Sequence, residues 1–413
     1  MQITNSKLNN NKILLYQFLL LSIYLLNIFF FNFFLIKIII ICIFLLFLVL
    51  IVEQWTQNKY LFFLIVLLSI VSMGSPTIDW DARSIWLFNA KRLFFNADIK
   101  KYLQAYTNFN NPDYPIFSTS ISSSIAILIN GWNEIFPKFS SILIVTPSII
   151  IIVSKIKNKI WNLLLITILI FILEKKIING EQDAILALYY LSTGIIIHDF
   201  FLVEKFHYLE STKKVFFILN ITILSLLKYE AIAIIASLYI ATLIIKIKNK
   251  IKLSQIIKIS ILFLFGILNI LLWKLIVYES KISFWHNQLL SLDNLYINIF
   301  NLKKILIILE SIFTTKTFVI SMIILSYALG AFFIVDIIKS KINKIIKMNF
   351  ILLFFYSNIF YFFFLLIVYI SSNIDIVVFL NTSVDRYTLP ISLSSAFVSI
   401  YILEKIHIII KKN

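Results

Sequence analysis

The chain has 413 residues, of which 61% are hydrophobic and 14% charged, with a mean hydropathy of +0.96 and a net charge of +17. Soluble domains contain about 45–50% apolar and about 25% charged residues, so this composition excludes an ordinary soluble globular protein. Apolar runs separated by Lys-rich breaks predict instead an all-α integral membrane protein, a single polytopic domain over residues 1–413. Lys at cytoplasmic loop ends then accounts for the positive charge, and no nucleic-acid partner is expected.

About twelve membrane spans (11–13) are predicted. In chain order they are residues 13–35, 38–52, 60–75, 139–154, 159–173, 184–198, 215–227, 231–245, 259–278, 317–338, 350–370 and 387–403. No small-residue cleavage site follows the first run, which is therefore interpreted as a retained span rather than a signal peptide. The only cysteine, Cys42, lies in an apolar run, so an internal disulfide is excluded.

The Lys clusters predict the orientation of these spans. With the N-terminus inside, twelve spans put the clusters at 155–159, 213–214, 246–258 and 339–347 on the inner side. The first outer loop, 76–138, is then expected to carry juxtamembrane helices, and 279–316 is a second large outer loop. A thirteenth span at 116–131 would place the Lys clusters on both sides of the membrane. This Ser-rich stretch is therefore predicted to be an interfacial helix on the outer surface. Keeping the Lys clusters on the inner side also favours two short helices at 215–227 and 231–245 over one long helix.

Arginine is scarce, and all three arginines are predicted to lie outside. Arg83 and Arg92 belong to the first outer loop and Arg386 to the last. The planar guanidinium group binds phosphate or carboxylate in a bidentate manner, which Lys cannot do. Phosphate binding by at least one of them is therefore predicted, against the alternative that their positions are chance.

Two aspartates of the first outer loop, Asp79 and Asp81, flank Trp80 at the end of a span. The spacing predicts a following helix with one apolar face and Lys91 opposite. Asp81 is then either the N-cap of that helix or a general base beside an acceptor hydroxyl. Asp183, just before another span, is well placed to cap that helix, and residues 111–115 predict a turn with an extended exit.

Lys228 and Glu230 interrupt two apolar runs close to membrane depth. Residues two apart on a helix do not face one another, so each requires a different partner. Ionisable groups at such depth are candidates for a functional site. The four His residues are scattered, and the sequence contains no zinc-binding set, Ser-His-Asp arrangement or P-loop.

The order of these motifs resembles that of bacterial GT-C-type membrane glycosyltransferases, relatives of the protein mannosyltransferases and aminoarabinose transferases. Five segments between about residues 60 and 400 carry the resemblance. Trp80-Asp81 with Trp86 and Ala90-Lys91 is similar to W-D-x4-W-x3-A-K, Pro112-Asp113-Tyr114-Pro115 to H-P-D-Y-P, Gly180 to Tyr189 to G-x2-D-x3-A-L-Y, Lys228-Tyr-Glu-Ala231 to K-N-E-G, and Arg386-Tyr-Thr-Leu-Pro390 to R-x-L-L-P.

The resemblance implies a GT-C-like fold and transfer of a sugar from a polyprenyl-phosphate-linked donor to a glycan, lipid or protein acceptor, with inversion. Asp81 would be the base, with Asp79 competing for that role, and Asp183 would be a second catalytic carboxylate, while Arg386 and Lys228 would hold the donor phosphate. Arg83, as another outer arginine, is a further candidate for binding that phosphate. Further site residues would be Asp79, Trp86, Lys91, Asp113, Tyr114 and Glu230. Asn111 stands where the family has His, which argues against a His-dependent metal site and leaves open whether a divalent metal takes part.

The implied location is the lipid bilayer of a bacterial inner membrane, with the site facing the periplasm and a role in cell-envelope polysaccharide. An O-antigen-type polymerase or ligase is an alternative, although that class has a late outer loop rich in Arg and His, and the loop 279–316 contains no Arg and a single His. A lipid or polysaccharide transporter is a non-enzymatic alternative. Transporters favour helices broken by Gly and Pro near the midplane, and this chain has only six of each.

Overall fold

A computed structural model describes residues 2–77, 79–104, 111, 113–203, 210–282, 290–339 and 348–411, with side chains from residue 10 onward except 104 and 336–339. These residues form helices joined by turns, and the described part contains one isolated β-bridge, between Leu290 and Ser372. A helix satisfies every backbone polar group within its own segment, which is what an apolar run requires in a bilayer.

The helices, in chain order, are numbered α1 to α18. They are α1 (Gln2–Phe29), α2 (Phe33–Gln57), α3 (Lys59–Gly74), α4 (Leu87–Asn96), α5 (Ile99–Gln104), α6 (Phe117–Leu128), α7 (Phe139–Ser154), α8 (Lys159–Leu173), α9 (Asp183–Ile197), α10 (Ser211–Ser225), α11 (Ala231–Lys248), α12 (Leu253–Glu279), α13 (Leu292–Asn298), α14 (Leu302–Thr314), α15 (Lys316–Lys339), α16 (Met348–Ser371), α17 (Ile376–Tyr387) and α18 (Leu389–Lys411). A π-helical turn, Ala82–Trp86, leads directly into α4.

Nine helical segments of the described chain are long and apolar enough to cross a membrane. They are Asn10–Phe29, Phe33–Gln57, Phe136–Ser154, Asp183–Val203, Ala231–Lys248, Leu253–Glu279, Lys316–Val335, Met348–Ser371 and Ile376–Lys411. The protein is therefore an α-helical membrane protein. Three further predicted spans correspond to α3, α8 and α10, which have 16, 15 and 15 residues. The count of twelve stays a prediction.

Polar contacts between helix junctions fall into two sets at opposite ends of the helices. In one set, Lys37 Nζ donates to Asn130 Oδ1 at 2.6 Å, and Arg386 pairs with Asp81. In the other, Glu404 Oε1 accepts from the backbone N–H groups of Lys157 and Asn158 at 2.7 and 2.8 Å. Each contact joins segments that the Lys pattern places on one side. The end carrying the predicted outer loops is called the outer end below.

The structure corrects the prediction that residues 116–131 form an interfacial helix. Every side chain of α6 from residue 117 to 127 is buried, and the helix packs against α1, α2, α4 and α7. Two of its hydroxyl groups bond to side chains of other segments, since Ser118 Oγ donates to Gln182 Oε1 at 2.5 Å and Ser122 Oγ lies 2.6 Å from Ser140 Oγ. Small hydroxyl residues permit such close helix packing. The helix therefore lies within the protein and presents no apolar face to a membrane surface.

Candidate active site

Asp81 and Arg386 form an ion pair although they are 305 residues apart in sequence. Arg386 lies in the last turn of α17, and its Nη1 donates to Asp81 Oδ2 just before the π-helical turn. Both side chains are largely buried, with exposed fractions of 22% and 17%. Asp81 makes no capping hydrogen bond to the following helix, so its contact with Arg386 is the interaction that accounts for its position.

Asp183 and Lys228 form a second pair, which is almost completely enclosed. Lys228 Nζ lies 2.8 Å from Asp183 Oδ1, and the two side chains are 4% and 2% exposed. Asp183 opens α9, and Lys228 lies in the turn between α10 and α11, which are separate helices as predicted. Arg386 is close enough to act electrostatically on both Asp183 and Lys228. The two pairs therefore form one group, called the charged cluster (Asp81, Asp183, Lys228, Arg386).

Asp79 has a different set of partners. It accepts from Lys175 Nζ at 3.0 Å and from the side-chain amide of Asn179. Both donors belong to the connection between α8 and α9, so Asp79 attaches the start of the first outer loop to that connection. Asp79 and Asp81 thus bind different segments, as expected for side chains two positions apart.

Glu181 lies at this site and was missed by the sequence reasoning. Glu181 is 7% exposed, and its Oε2 atom has no hydrogen-bond partner within the described chain. Burial, followed by the charges of Asp183 and Asp79, raises the pKa of Glu181 to about 7, while Arg386 opposes the rise. The family motif G-x2-D places no requirement on this position, so only the acidic charge next to Asp183 could have drawn attention to it.

An aromatic wall lies beside the charged cluster. The ring of Trp86 is 5.4 Å from that of Tyr114, which stacks at 5.8 Å on Tyr229. Lys228 Nζ lies 5.9 Å from the centre of the Trp86 ring. Burial, followed by the charge of Glu230, raises the pKa of Tyr114 well above its ordinary value, so its hydroxyl stays neutral.

The described residues of the predicted turn at 111–115 are joined by a turn hydrogen bond and are held by side chains of other segments. Tyr114 N–H donates to Asn111 O at 3.1 Å, and Asn111 has a positive φ of 43°. The carbonyl of Asp113 accepts from Trp273 Nε1 at 2.8 Å and from the Tyr229 hydroxyl. This anchoring explains why a polar turn can lie buried beside the cluster.

Glu230 is the remaining predicted carboxylate, and it lies next to the aromatic wall. Both of its carboxylate oxygens are buried without a hydrogen-bond partner among the described residues. Its charge reaches Lys228 and Tyr114, which places it near the charged cluster. It is a second acid at this end of the protein whose buried carboxylate oxygens lack hydrogen bonds to the described residues.

Arg83 and Lys91 lie elsewhere. Both are exposed and line a separate polar cavity of about 320 Å³ together with Trp132 and Glu134. Arg83 is therefore not next to Arg386 and Lys228 in this structure. Its predicted part in phosphate binding has no support from the geometry.

Metal binding was left open by the sequence. In the described chain, no three His, Cys, Asp or Glu side chains are arranged to hold a metal ion. Two of the four His residues, His207 and His286, lie outside the described residues. The chemistry available among the described residues is thus that of paired charges, buried carboxyl groups and aromatic rings.

Comparison with known proteins found no matching family, no matching curated protein and no matching solved structure. The likeness to GT-C-type glycosyltransferases consequently rests on the residues and motifs quoted from the sequence.

Proposed function

We propose that this protein is a membrane glycosyltransferase that transfers a sugar from a polyprenyl-phosphate-linked donor to an acceptor at the outer end. The observation that carries the proposal is the charged cluster. Its four residues come from four separate motifs of the sequence, and the fold brings them into two adjoining ion pairs. Two cations held by carboxylates at the end of a helix bundle form a pair of charges that an entering phosphate can bind.

The donor phosphate would replace the carboxylates as the partner of these two cations. Arg386 suits this role because its Nε has no hydrogen-bond partner within the described chain, so the guanidinium keeps a donor for a second phosphate oxygen. Lys228 would add the second positive charge of the cluster. Both cations would then neutralise the phosphate as it leaves.

The reaction is a displacement at the anomeric carbon. The acceptor oxygen forms a bond to that carbon as the bond to the phosphate oxygen breaks, and the electron pair leaves with the polyprenyl phosphate. A carboxylate of the site takes the acceptor proton, and a single displacement inverts the configuration. Asp81 is the base implied by the family resemblance, with Asp183 as the second carboxylate.

An apolar cavity gives the proposal further support. It has a volume of about 470 Å³ and lies between α14, α15, α16 and α18, with Phe318, Phe362 and Ile391 among its lining residues. Ile391 belongs to the first turn of α18, the helix that follows Arg386 directly. A polyprenyl chain could therefore occupy an apolar cavity close to a phosphate held by Arg386.

Binding of undecaprenyl phosphate tests the donor class. The purified protein should be stabilised against heat by undecaprenyl phosphate and much less by undecaprenol, which lacks the phosphate. Arg386→Lys keeps the charge but loses the bidentate geometry, so the affinity should fall about 10-fold or more, the size of a lost charge-assisted hydrogen bond. Arg83→Lys is the matched control, since Arg83 lines the separate cavity.

The reaction itself is tested with a panel of undecaprenyl-phosphoryl hexoses and pentoses. Wild-type protein should release undecaprenyl phosphate from at least one member when membrane lipids and glycans are supplied as acceptors. Equal stabilisation by undecaprenol and undecaprenyl phosphate, together with no release from any donor, would reject the proposal.

A further inference from the structure

The connection between α8 and α9 holds Glu181 in a fixed place. Asn179 donates to Asp79 on one side of it, and Gln182 Oε1 accepts from Ser118 Oγ at 2.5 Å on the other. Gly180 adopts a φ of +89°, a conformation that residues with a side chain rarely adopt. The backbone around Glu181 is thus positioned by its neighbours, while the carboxylate oxygen Oε2 forms no hydrogen bond to the described residues.

The aspartates around Glu181 are all paired with cations. Asp79 contacts Lys175, Asp81 contacts Arg386, and Asp183 contacts Lys228. A neighbouring cation favours the ionised form of a carboxylate, so an ion-paired Asp is a weak proton acceptor. Glu181 differs because none of the ion pairs found in the described chain includes it.

The charges that face Glu181 also favour proton uptake. Asp183 lies on α9, Asp79 and Asp81 lie at the start of the first outer loop, and Arg386 on α17 is the cation that opposes them. Burial and the three carboxylates together raise the pKa of Glu181 to about 7. A general base works best when its pKa lies near the operating pH, because it is then both ionised and basic.

We propose that Glu181 is the catalytic base, whose carboxylate takes the proton of the acceptor hydroxyl while Asp81 and Asp183 position the two phosphate-binding cations. The inference rests on the proposed glycosyl transfer. The acceptor O–H proton moves to Glu181, the oxygen bonds to the anomeric carbon, and the electron pair of the broken bond leaves with the phosphate. Glu181 then returns its proton to water or to the released phosphate.

Carbodiimide labelling tests the protonation of Glu181 without any substrate. Dicyclohexylcarbodiimide modifies protonated carboxyl groups in apolar surroundings, and peptide mass spectrometry identifies the modified residue. In the wild-type protein, labelling of Glu181 should fall as the pH rises through about 7. Asp81 and Asp183 should remain unlabelled over that range. Labelling of Glu181 that is absent below neutral pH, or no greater than that of Asp183, would overturn the inference.

Kinetics test the catalytic step with the undecaprenyl-phosphoryl sugar that the wild-type protein accepts. Glu181→Gln should lower kcat by about 10²–10⁴, the usual contribution of a general base, and remove the rise in rate with pH. Asp81→Asn should mainly raise the KM for the donor, because it releases Arg386 from its position.

The two ways of failing are distinguishable. An active wild-type protein whose Glu181→Gln variant keeps the wild-type kcat and pH profile would overturn the inference alone. A wild-type protein that accepts none of the donors would overturn the proposed function and this inference with it.

Discussion

At the residue scale, the two kinds of ion pair at the outer end differ in how much water reaches them. The side chains of Lys228 and Asp183 are 4% and 2% exposed, whereas that of Lys175, the partner of Asp79, is 61% exposed. A buried ion that loses its partner has neither water nor counter-charge, while an exposed ion is resolvated. The two pairs should therefore respond differently to the loss of the lysine.

Lys228→Met is expected to destabilise the folded protein by about 3–5 kcal/mol, because it leaves Asp183 as an uncompensated buried charge. Lys175→Met, the control, should cost about 1 kcal/mol or less. Thermal unfolding of both variants in detergent measures the difference. The double variant Lys228→Met/Asp183→Leu should recover part of the loss. Equal destabilisation by the two single variants would contradict the burial of the pair.

Protonation of Glu181 should make stability depend on pH. Its pKa is raised in the folded protein, from an ordinary value of 4.5 to about 7, so folding favours the protonated form. The stabilisation is complete below about pH 4.5 and is lost as the pH rises through about 7. The melting temperature of wild-type protein should fall across this window more than that of Glu181→Gln. Parallel pH profiles for the two proteins would show that Glu181 does not hold a proton preferentially in the fold.

The sequence predicted some residues of the site better than others, for geometric reasons. The family motifs identified the charged cluster, and the structure joins its members in pairs. Arg83 was predicted to bind phosphate because it is one of the three arginines, all of them expected on the outer side. Residues two apart on a helix point in different directions, which places Arg83 in the separate cavity. Glu181 could not be selected in advance, since its importance depends on which neighbouring carboxylates find cations in three dimensions.

At the scale of elements, two glycines allow two pairs of helices to pack closely where they cross. A Cβ atom added at Gly266 of α12 would lie 2.4 Å from Ile221 Cγ2 of α10, and one at Gly194 of α9 would lie 2.5 Å from the Phe354 ring of α16. Gly330 of α15, in contrast, has no atom within 4 Å of such a Cβ. The first two glycines are therefore required by packing, and the third is not.

Gly266→Ala should destabilise the protein by about 1–3 kcal/mol, because the added methyl group forces α10 and α12 apart. Gly330→Ala is the matched control and should be neutral or stabilising by up to about 1 kcal/mol, since Ala favours the helix. Thermal unfolding in the same detergent compares them. A Gly266→Ala variant as stable as Gly330→Ala would mean that α10 and α12 do not cross at this point.

Apolar runs were sufficient to predict where the long helices lie, but not how α6 packs. The prediction of two helices at 215–227 and 231–245 is confirmed. That prediction was possible because the charge pattern required the chain to reverse between them. For α6, the weak apolar character of the Ser-rich run and the charge pattern predicted an interfacial helix. Ser118 and Ser122 instead bond to Gln182 and Ser140, residues of other segments whose proximity the local sequence cannot reveal.

At the scale of the whole molecule, the two ends have different chemistry. The outer end holds the charged cluster and the buried acids Glu181 and Glu230. At the opposite end, Lys155 pairs with Asp199, and Glu404 binds the backbone of 157–158. The excess of Lys in the loops at this second end predicts that it faces the cytoplasm. The charged cluster would then face outward, where lipid-linked sugars would reach it.

Cysteine labelling tests this orientation. In a Cys42→Ser background, cysteines replacing Glu134 and Lys157 are both at exposed positions and should react with a membrane-impermeant maleimide from opposite sides. The label should reach position 134 in sealed, right-side-out vesicles, and position 157 only after the membrane is opened. Labelling of both from one side would reject the predicted topology. A third cysteine, replacing the fully buried Ser123 of α6, should stay unlabelled from either side until the protein is unfolded, whereas an interfacial helix would leave it reactive.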